Sequence, residues 1–206
     1  MKTIDFILSL YLLDKRKNVI LQVRNKIINR MADKKPTLQE CAMKYGTMMG
    51  LFWIGKFILF PIGFKIPFIQ LFFFFLTLFT PFLGYIFAKK YRENECENSI
   101  SFFQGFSFTI FMYLFAALLV AVAHYIYFQF IDNGFIIETY SAMLNGLKEA
   151  SAGQAVLPIE QVEEAMNIIS GLSALQLTMQ IIYQNIFWGF LLAFPTALLI
   201  MKRNKQ

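Results

Sequence analysis

Four long apolar stretches constrain this chain more than any other feature. They lie at roughly residues 43–63, 68–88, 105–130 and 176–201. As a helix rising about 1.5 Å per residue, each can cross a hydrocarbon core of about 30 Å. Lipid offers no partners for unpaired backbone groups, so a segment of this kind spans as a helix. We therefore expect an all-α membrane protein with four transmembrane helices.

The distribution of basic residues predicts how such a protein is oriented. Of 19 Lys and Arg residues, ten lie before the first stretch or at its start, three follow the second and three follow the fourth. The exceptions are Lys56, inside the first stretch, and Lys65 and Lys148, on the other side. By the positive-inside rule, both termini and the loop at 89–104 face the cytoplasm, and residues 131–175 face outward. We expect an inner-membrane location, with the basic residues contacting the lipid bilayer and no nucleic acid.

The outward segment, residues 131–175, has the pattern of an amphipathic helical hairpin. Asp132-Asn133-Gly134 is a turn signal, and Pro158 suits the first position of a helix. Apolar residues recur at helical spacing on both sides of the connection. The faces are Ile136, Tyr140, Met143 and Leu147 on the first helix, and Ile159, Val162, Met166, Ile169 and Leu172 on the second. We expect this acidic hairpin, between transmembrane helices 3 and 4, to cover the outer end of the bundle.

The N-terminal part is predicted to be a separate basic segment. Residues 1–40 precede the transmembrane domain at 41–204, and residues 19–31 place apolar side chains at helical spacing among basic ones. One interpretation is an amphipathic helix lying on the inner leaflet. The other is that translation starts at Met31 rather than Met1, which would leave 1–30 as a leader. The sequence leaves both open.

Several polar side chains are expected in the outer half of the membrane. Ionisable groups at such depth are costly and usually face the bundle interior or a wet cavity. One hypothesis is an outward-facing vestibule that binds a small ligand or a lipid headgroup, with Lys56 supplying positive charge. The alternative is that Lys56 extends to the surface and the amides hold helices together. The candidate residues are Lys56, His124, Gln180, Gln184 and Asn185, the two glutamines continuing a four-residue spacing from Gln176.

Catalytic and metal-binding patterns do not appear in the sequence. The single histidine has no neighbouring nucleophile motif, and there is no phosphate-binding or dinucleotide-binding glycine motif. Cys41 and Cys96 lack metal-ligand spacing. We expect no enzymatic activity, no catalytic residues, no cofactor and no metal.

Small residues predict where helices approach closely. Gly46 and Gly50 are spaced by four residues, as are Gly189, Ala193 and Ala197. We expect a non-enzymatic accessory or structural subunit that contacts a membrane-protein partner, or a second copy, through these faces and the outer hairpin. The alternative is a small transporter or channel component built around the vestibule.

Short motifs also occur in an ordered series over residues 40–204. They are Lys44-Tyr45-Gly46, Tyr91-Arg92, Ile100-Ser101-Phe102 followed by Gly105-Phe106, Pro158 followed by Gln161-Val162-Glu163, and Lys202-Arg203. In this order they resemble the bacterial membrane proteins grouped as domain of unknown function 4199. The resemblance implies a small integral inner-membrane protein and carries no residue roles over to this chain. It leaves 1–30 outside, which favours the start at Met31.

Overall fold

The computed structural model describes residues 16–17, 20–22, 24, 35–150 and 159–202, without the side chains of residues 150, 159 and 160. The chain divides into two units, Met1–Thr37 and Leu38–Gln206. In the first unit, residues 16–17, 20–22 and 24 are helical, and residues 35–37 have no regular structure. Much of the amphipathic helix predicted at 19–31, and the alternative start at Met31, lie outside the described residues and stay predictions.

The second unit is all-helical in its described residues, as the sequence predicted. Its helices are α1 (Leu38–Gly63), α2 (Pro67–Glu95), α3 (Phe102–Phe130), α4 (Phe135–Ala150), α5 (Ile159–Ser170) and α6 (Ala174–Ile200). Four of them, α1, α2, α3 and α6, are long and apolar enough to cross a membrane. This confirms the predicted number of membrane-spanning helices.

Helix α2 continues beyond the apolar stretch that predicted it. The sequence predicted a loop at 89–104, whereas the helix runs to Glu95. Lys89 Nζ lies 4.0 Å from Glu93 Oε1 one turn further on, and Arg92 donates a 3.0 Å hydrogen bond to the carbonyl of Ile200. The predicted loop was too long because these polar interactions extend the helix where hydropathy has already fallen.

Helix α3 lies between α1 and α6, and α2 packs against α1 and, less extensively, α6. Helix α1 approaches α3 through its small residues: a Cβ added to Gly46 would lie 2.7 Å from the carbonyl oxygen of Met112. Helix α6 approaches the other side, where a Cβ on Gly189 would lie 2.7 Å from Tyr113 Cβ. Ala193 is fully buried. Both small-residue faces are therefore filled by α3 of the same chain.

The end of the bundle opposite α4 and α5 is closed by backbone pairing. Ile100 and Lys202 exchange two hydrogen bonds, of 2.9 and 3.1 Å. Ser99 Oγ donates to the carbonyl of Lys202, and Ser101 caps α3 by accepting from the backbone N–H of Gln104. These contacts join the end of α6 to the loop between α2 and α3.

Candidate functional site

A cavity of about 580 Å³ lies at the end of the bundle that carries α4 and α5, and we call it the large cavity. Side chains of α1, α3 and α6 form its walls, Phe73 of α2 contributes one side, and residues of α4 and α5 cover it. Small-molecule sites in proteins usually enclose about 300–1,000 Å³. The large cavity is therefore of a size that can hold a ligand.

All five polar residues singled out in the sequence line the large cavity. They are Lys56, His124, Gln180, Gln184 and Asn185. Lys56 lies seven residues before the end of α1 and His124 six residues before the end of α3, which corresponds to depths of about 9–10 Å along the helices. The structure brings these residues together, and their role in binding stays a prediction.

Among the described residues that line the large cavity, Lys56 is the only Lys or Arg. Its Nζ lies 5.6 Å from the ring centroid of Phe73. Among the ion pairs of the described residues, none joins Lys56 to a carboxylate within 4.0 Å. A partly buried cation without a counter-ion is costly, and an aromatic ring offsets only part of that cost. The environment of Lys56 therefore favours an anionic or oxygen-rich group in the cavity.

His124 is held in place by aromatic packing. It is buried, with 6% of its surface exposed, and its ring meets that of Phe57 edge-on at 4.2 Å between centroids. Within the described part of the chain, its Nδ1 has no hydrogen-bond partner. Because buried polar atoms usually have partners, this nitrogen is available to a ligand or a water molecule.

The glutamines spaced by four residues along α6 have two different structural roles. Gln176 and Ser173 form a reciprocal capping box at the start of the helix, so Gln176 does not line the cavity. Gln180 and Gln184, one and two turns further on, line the large cavity and remain exposed. The cavity wall is therefore open beside α6, where these amides are reachable.

Sequence reasoning missed Asp132 and the aromatic wall. Asp132 was assigned only to a turn, yet its buried side chain lines the large cavity, and its Oδ1 accepts a 3.2 Å hydrogen bond from the backbone N–H of Ile136. The positive end of α4 stabilises that carboxylate. Its position just after a transmembrane stretch was the available signal. The aromatic wall residues that were missed are Trp53, Phe57, Phe60, Phe73 and Phe128, whereas Tyr140, which also lines the cavity, was predicted on the apolar face of the hairpin.

Helices α4 and α5 cover the large cavity through a small set of contacts. Phe64, in the turn after α1, meets Tyr140 and Phe135 edge-on, with centroid distances of 5.3 and 6.2 Å. Lys148 of α4 pairs with Glu163 of α5, and burial raises the pKa of the Tyr140 phenol. The predicted apolar face of α4 reaches the cavity only in its first half, because Met143 and Leu147 are exposed.

A second cavity of about 250 Å³, the small cavity, lies between α1, α2, α3 and α6. It shares Trp53, Lys56 and Asn185 with the large cavity. Its other lining residues include Thr77 of α2 and Trp188 of α6, which are both exposed. The small cavity therefore reaches the outer surface of the bundle between α2 and α6.

In the described residues, no three His, Cys, Asp or Glu side chains are grouped so that they could hold a metal ion. The residues that line the two cavities suit non-covalent binding by charge, hydrogen bonds and apolar contact. The absence of enzymatic activity, expected from the sequence, stays a prediction.

These features define a multi-pass helical membrane protein with two neighbouring cavities among its spans. Residues 44–202 match the family described as Protein of unknown function (DUF4199), and the chain belongs to that family. The resemblance found in the sequence motifs is thereby confirmed. No curated protein and no solved structure matches the chain.

Proposed function

We propose that this protein binds a small ligand with an anionic group in the large cavity, as a small transporter or the binding component of one. The observation that carries this proposal is the environment of Lys56. Among the described residues it is the only Lys or Arg lining a cavity of about 580 Å³, and the described ion pairs give it no carboxylate partner. Gln180, Gln184 and Asn185 line the same cavity and supply hydrogen-bonding groups. The proposal assigns no chemical step, so the protein is not an enzyme on this view.

We further propose an inner-membrane location with both termini cytoplasmic. The concentration of Lys and Arg around the predicted inner ends supports this orientation. Helices α4 and α5 would then form an extracytoplasmic hairpin between the third and fourth spans, a pairing that the Lys148–Glu163 contact supports. The large cavity would open on the outer side of the membrane.

The accessory-subunit role has less support. It depended on partner contacts through the small-residue faces and the outer hairpin, and α3 of the same chain fills both small-residue faces. A membrane-protein partner or a second copy would have to use the hairpin, where Met143 and Leu147 are exposed, or another surface such as the exposed aromatic side of α2. That side includes Phe68, Phe72, Phe75, Phe79 and Phe82.

The proposal is tested by identifying what the purified protein retains. We would purify the wild-type protein, Lys56→Leu and Lys65→Leu in mild detergent and identify bound small molecules by mass spectrometry. We expect an anionic molecule with the wild type and with Lys65→Leu, and its loss with Lys56→Leu. Lys65 is the matched control because its Nζ lies over the ring of Phe135, outside the lining of either cavity.

The helical content and the elution volume of each variant, from circular dichroism and gel filtration, verify that it is folded. Retention of the same molecules by all three proteins would contradict the proposal. A wild-type protein that retains no anionic molecule would also contradict it.

A further inference from the structure

The two cavities share three lining side chains, and we call the place where these side chains lie the junction. Trp53, Lys56 and Asn185 line both the large and the small cavity. Neither Lys56 nor Asn185 hydrogen-bonds another residue within the described part of the chain. The junction is therefore polar and has hydrogen-bonding capacity to spare.

A buried donor lies at the same junction. Trp53 has 8% of its surface exposed, and its Nε1 has no hydrogen-bond partner among the described residues. An indole N–H can only donate, and leaving such a group unpaired in a protein interior is destabilising. An oxygen atom of a ligand at the junction, such as an ester carbonyl, is the acceptor that this donor lacks.

The small cavity has an apolar side that can border a hydrocarbon chain, formed by Pro81, Trp188 and Leu192. The hydroxyl groups of Thr77 and Thr80 donate to carbonyls of their own helix, at 2.9 and 3.2 Å, so neither donor is free for a ligand. The polar groups at the inner end of this cavity are the side chains of Lys56 and Asn185 and the hydroxyl of Tyr113, which has no hydrogen-bond partner among the described residues.

The opening of the small cavity lies at the depth of lipid chains. Trp188 is 54% exposed and stands near the middle of the 27-residue helix α6. Tryptophan in a span is enriched at the two interfaces of a membrane rather than at its centre. An exposed Trp188 at this depth, facing Thr77 across the cleft between α2 and α6, therefore borders a lateral opening to the hydrocarbon core.

We infer that the ligand is a phospholipid-like amphiphile that occupies both cavities. Its phosphate lies in the large cavity beside Lys56, its ester carbonyl accepts from Trp53 at the junction, and an acyl chain leaves through the small cavity between α2 and α6. Gln180, Gln184 and Asn185 extend over about one and a half turns of α6, which suits a headgroup larger than a carboxylate. This inference rests on the proposed function and names its ligand class.

The first experiment tests the contributions of the phosphate and of the acyl chains separately. Binding of phosphatidic acid, of diacylglycerol with the same chains and of glycerol 3-phosphate would be titrated by native mass spectrometry. We expect phosphatidic acid to bind, and each of the other two at least about tenfold more weakly, because each lacks one set of contacts. Lys56→Gln should weaken the binding of phosphatidic acid about ten- to a hundredfold, whereas Lys65→Gln and the charge-conserving Lys56→Arg should leave that binding unchanged.

The second experiment locates the acyl chain by tryptophan fluorescence. The protein contains two tryptophans, so Trp188→Phe leaves Trp53, which is shielded from bulk lipid, as the only reporter. Phosphatidic acid with brominated chains should quench Trp53, and the same lipid without bromine should not. Thr77→Phe, which narrows the opening, should reduce the quenching. Leu78→Phe, one residue away and outside the lining, is the control and should leave it unchanged.

The outcomes distinguish this inference from the proposed function. Glycerol 3-phosphate could bind as tightly as phosphatidic acid and depend equally on Lys56. This result would leave the proposed function standing and overturn the inference that the ligand is an amphiphile. If lipid binding depends on Lys56 but the brominated lipid does not quench Trp53, only the placement of the acyl chain in the small cavity would be overturned. If Lys56→Gln changes the binding of no probe, both the inference and the proposed function are wrong.

Discussion

Tyr113 joins all four spans at one point. Its ring stacks on Trp53 of α1, with centroids 5.9 Å apart and planes 18° from parallel. Its hydroxyl occupies the space that a side chain at Gly84 of α2 would need, and its Cβ lies against Gly189 of α6. The side chain is 1% exposed. A Cβ at position 189 would lie 2.7 Å from Tyr113 Cβ, close to the backbone of α3, whereas a Cβ at position 84 would meet only the hydroxyl end of the Tyr113 ring. The constraint on side-chain size is therefore stronger at position 189.

We predict that Gly189→Ala destabilises the protein by about 1–3 kcal/mol, the usual cost of overpacking a tight core. Gly55→Ala is the matched control, since a Cβ there would meet nothing within 4 Å. It should stabilise helix α1 by up to about 1 kcal/mol, because glycine disfavours helices. Thermal unfolding in detergent measures both variants. An unchanged melting temperature for Gly189→Ala would show that Tyr113 can yield.

At the residue scale, the sequence allowed prediction of polar but not apolar cavity residues. Lys56 and Gln184 stood out because polar groups are rare within spans, and their positions along the helices gave their depth. Trp53 and Phe57 gave no comparable signal, since a helix that is apolar on all sides has no period to show which side faces inward. Whether Lys56 lines a cavity or extends to the membrane surface depends on which side of α1 faces inward, and the sequence does not give that side.

At the scale of elements, α4 is attached to the bundle less firmly than the spans are to each other. It packs on α5 and reaches α1 through the aromatic contacts of Phe64 with Phe135 and Tyr140. Its second half exposes Met143 and Leu147, which suits a helix lying at the level of lipid headgroups. Few contacts therefore hold α4 over the large cavity.

We predict that Phe64→Ala loosens α4 without unfolding the spans. Loss of the two edge-on ring contacts, which contribute about 0.5–1.5 kcal/mol per pair beyond buried area, should raise hydrogen exchange across residues 135–150. Phe68→Ala is the control, because Phe68 is 76% exposed and should leave exchange in α4 unchanged. Equal exchange in the two variants would mean that α4 is held by other contacts.

The ends of most helices were predictable and that of α2 was not. Falling hydropathy and turn residues gave the ends of α1 and α3 closely. The hydrogen bond from Arg92 to the carbonyl of Ile200 joins residues more than a hundred positions apart. A local pattern cannot report such a contact, so the last two turns of α2 were predicted as loop.

For the whole molecule, the orientation in the membrane follows from charge rather than from packing. The basic residues on α2 after its apolar stretch and at the end of α6 lie at one end of the bundle, and the large cavity lies at the other. From the preference of basic residues for the cytoplasmic side, we predict that the large cavity faces outward. The prediction concerns the entire bundle, since one helix cannot be reversed without the others.

We predict that Gly146→Cys is labelled by a membrane-impermeant maleimide in intact cells, whereas Lys90→Cys is labelled only after permeabilisation. Both would be made in a background with Cys41 and Cys96 replaced by alanine. A Cβ at position 146 meets nothing within 4 Å, so the added thiol is accommodated. The reverse labelling pattern would mean that the large cavity opens to the cytoplasm.

The central position of α3 also has a consequence for how the chain is made. Synthesis produces α1, α2 and α3 before α6, so the side of α3 that later receives α6 is left without its partner during insertion. That side includes Gly105, which packs against Ile200, and Tyr113, which packs against Gly189. If synthesis stalled between α3 and α6, this side of α3 would be exposed to any helix nearby in the membrane. The pairing of Ile100 with Lys202 can form only after α6 has been inserted, and from then on α3 has its partner on both sides.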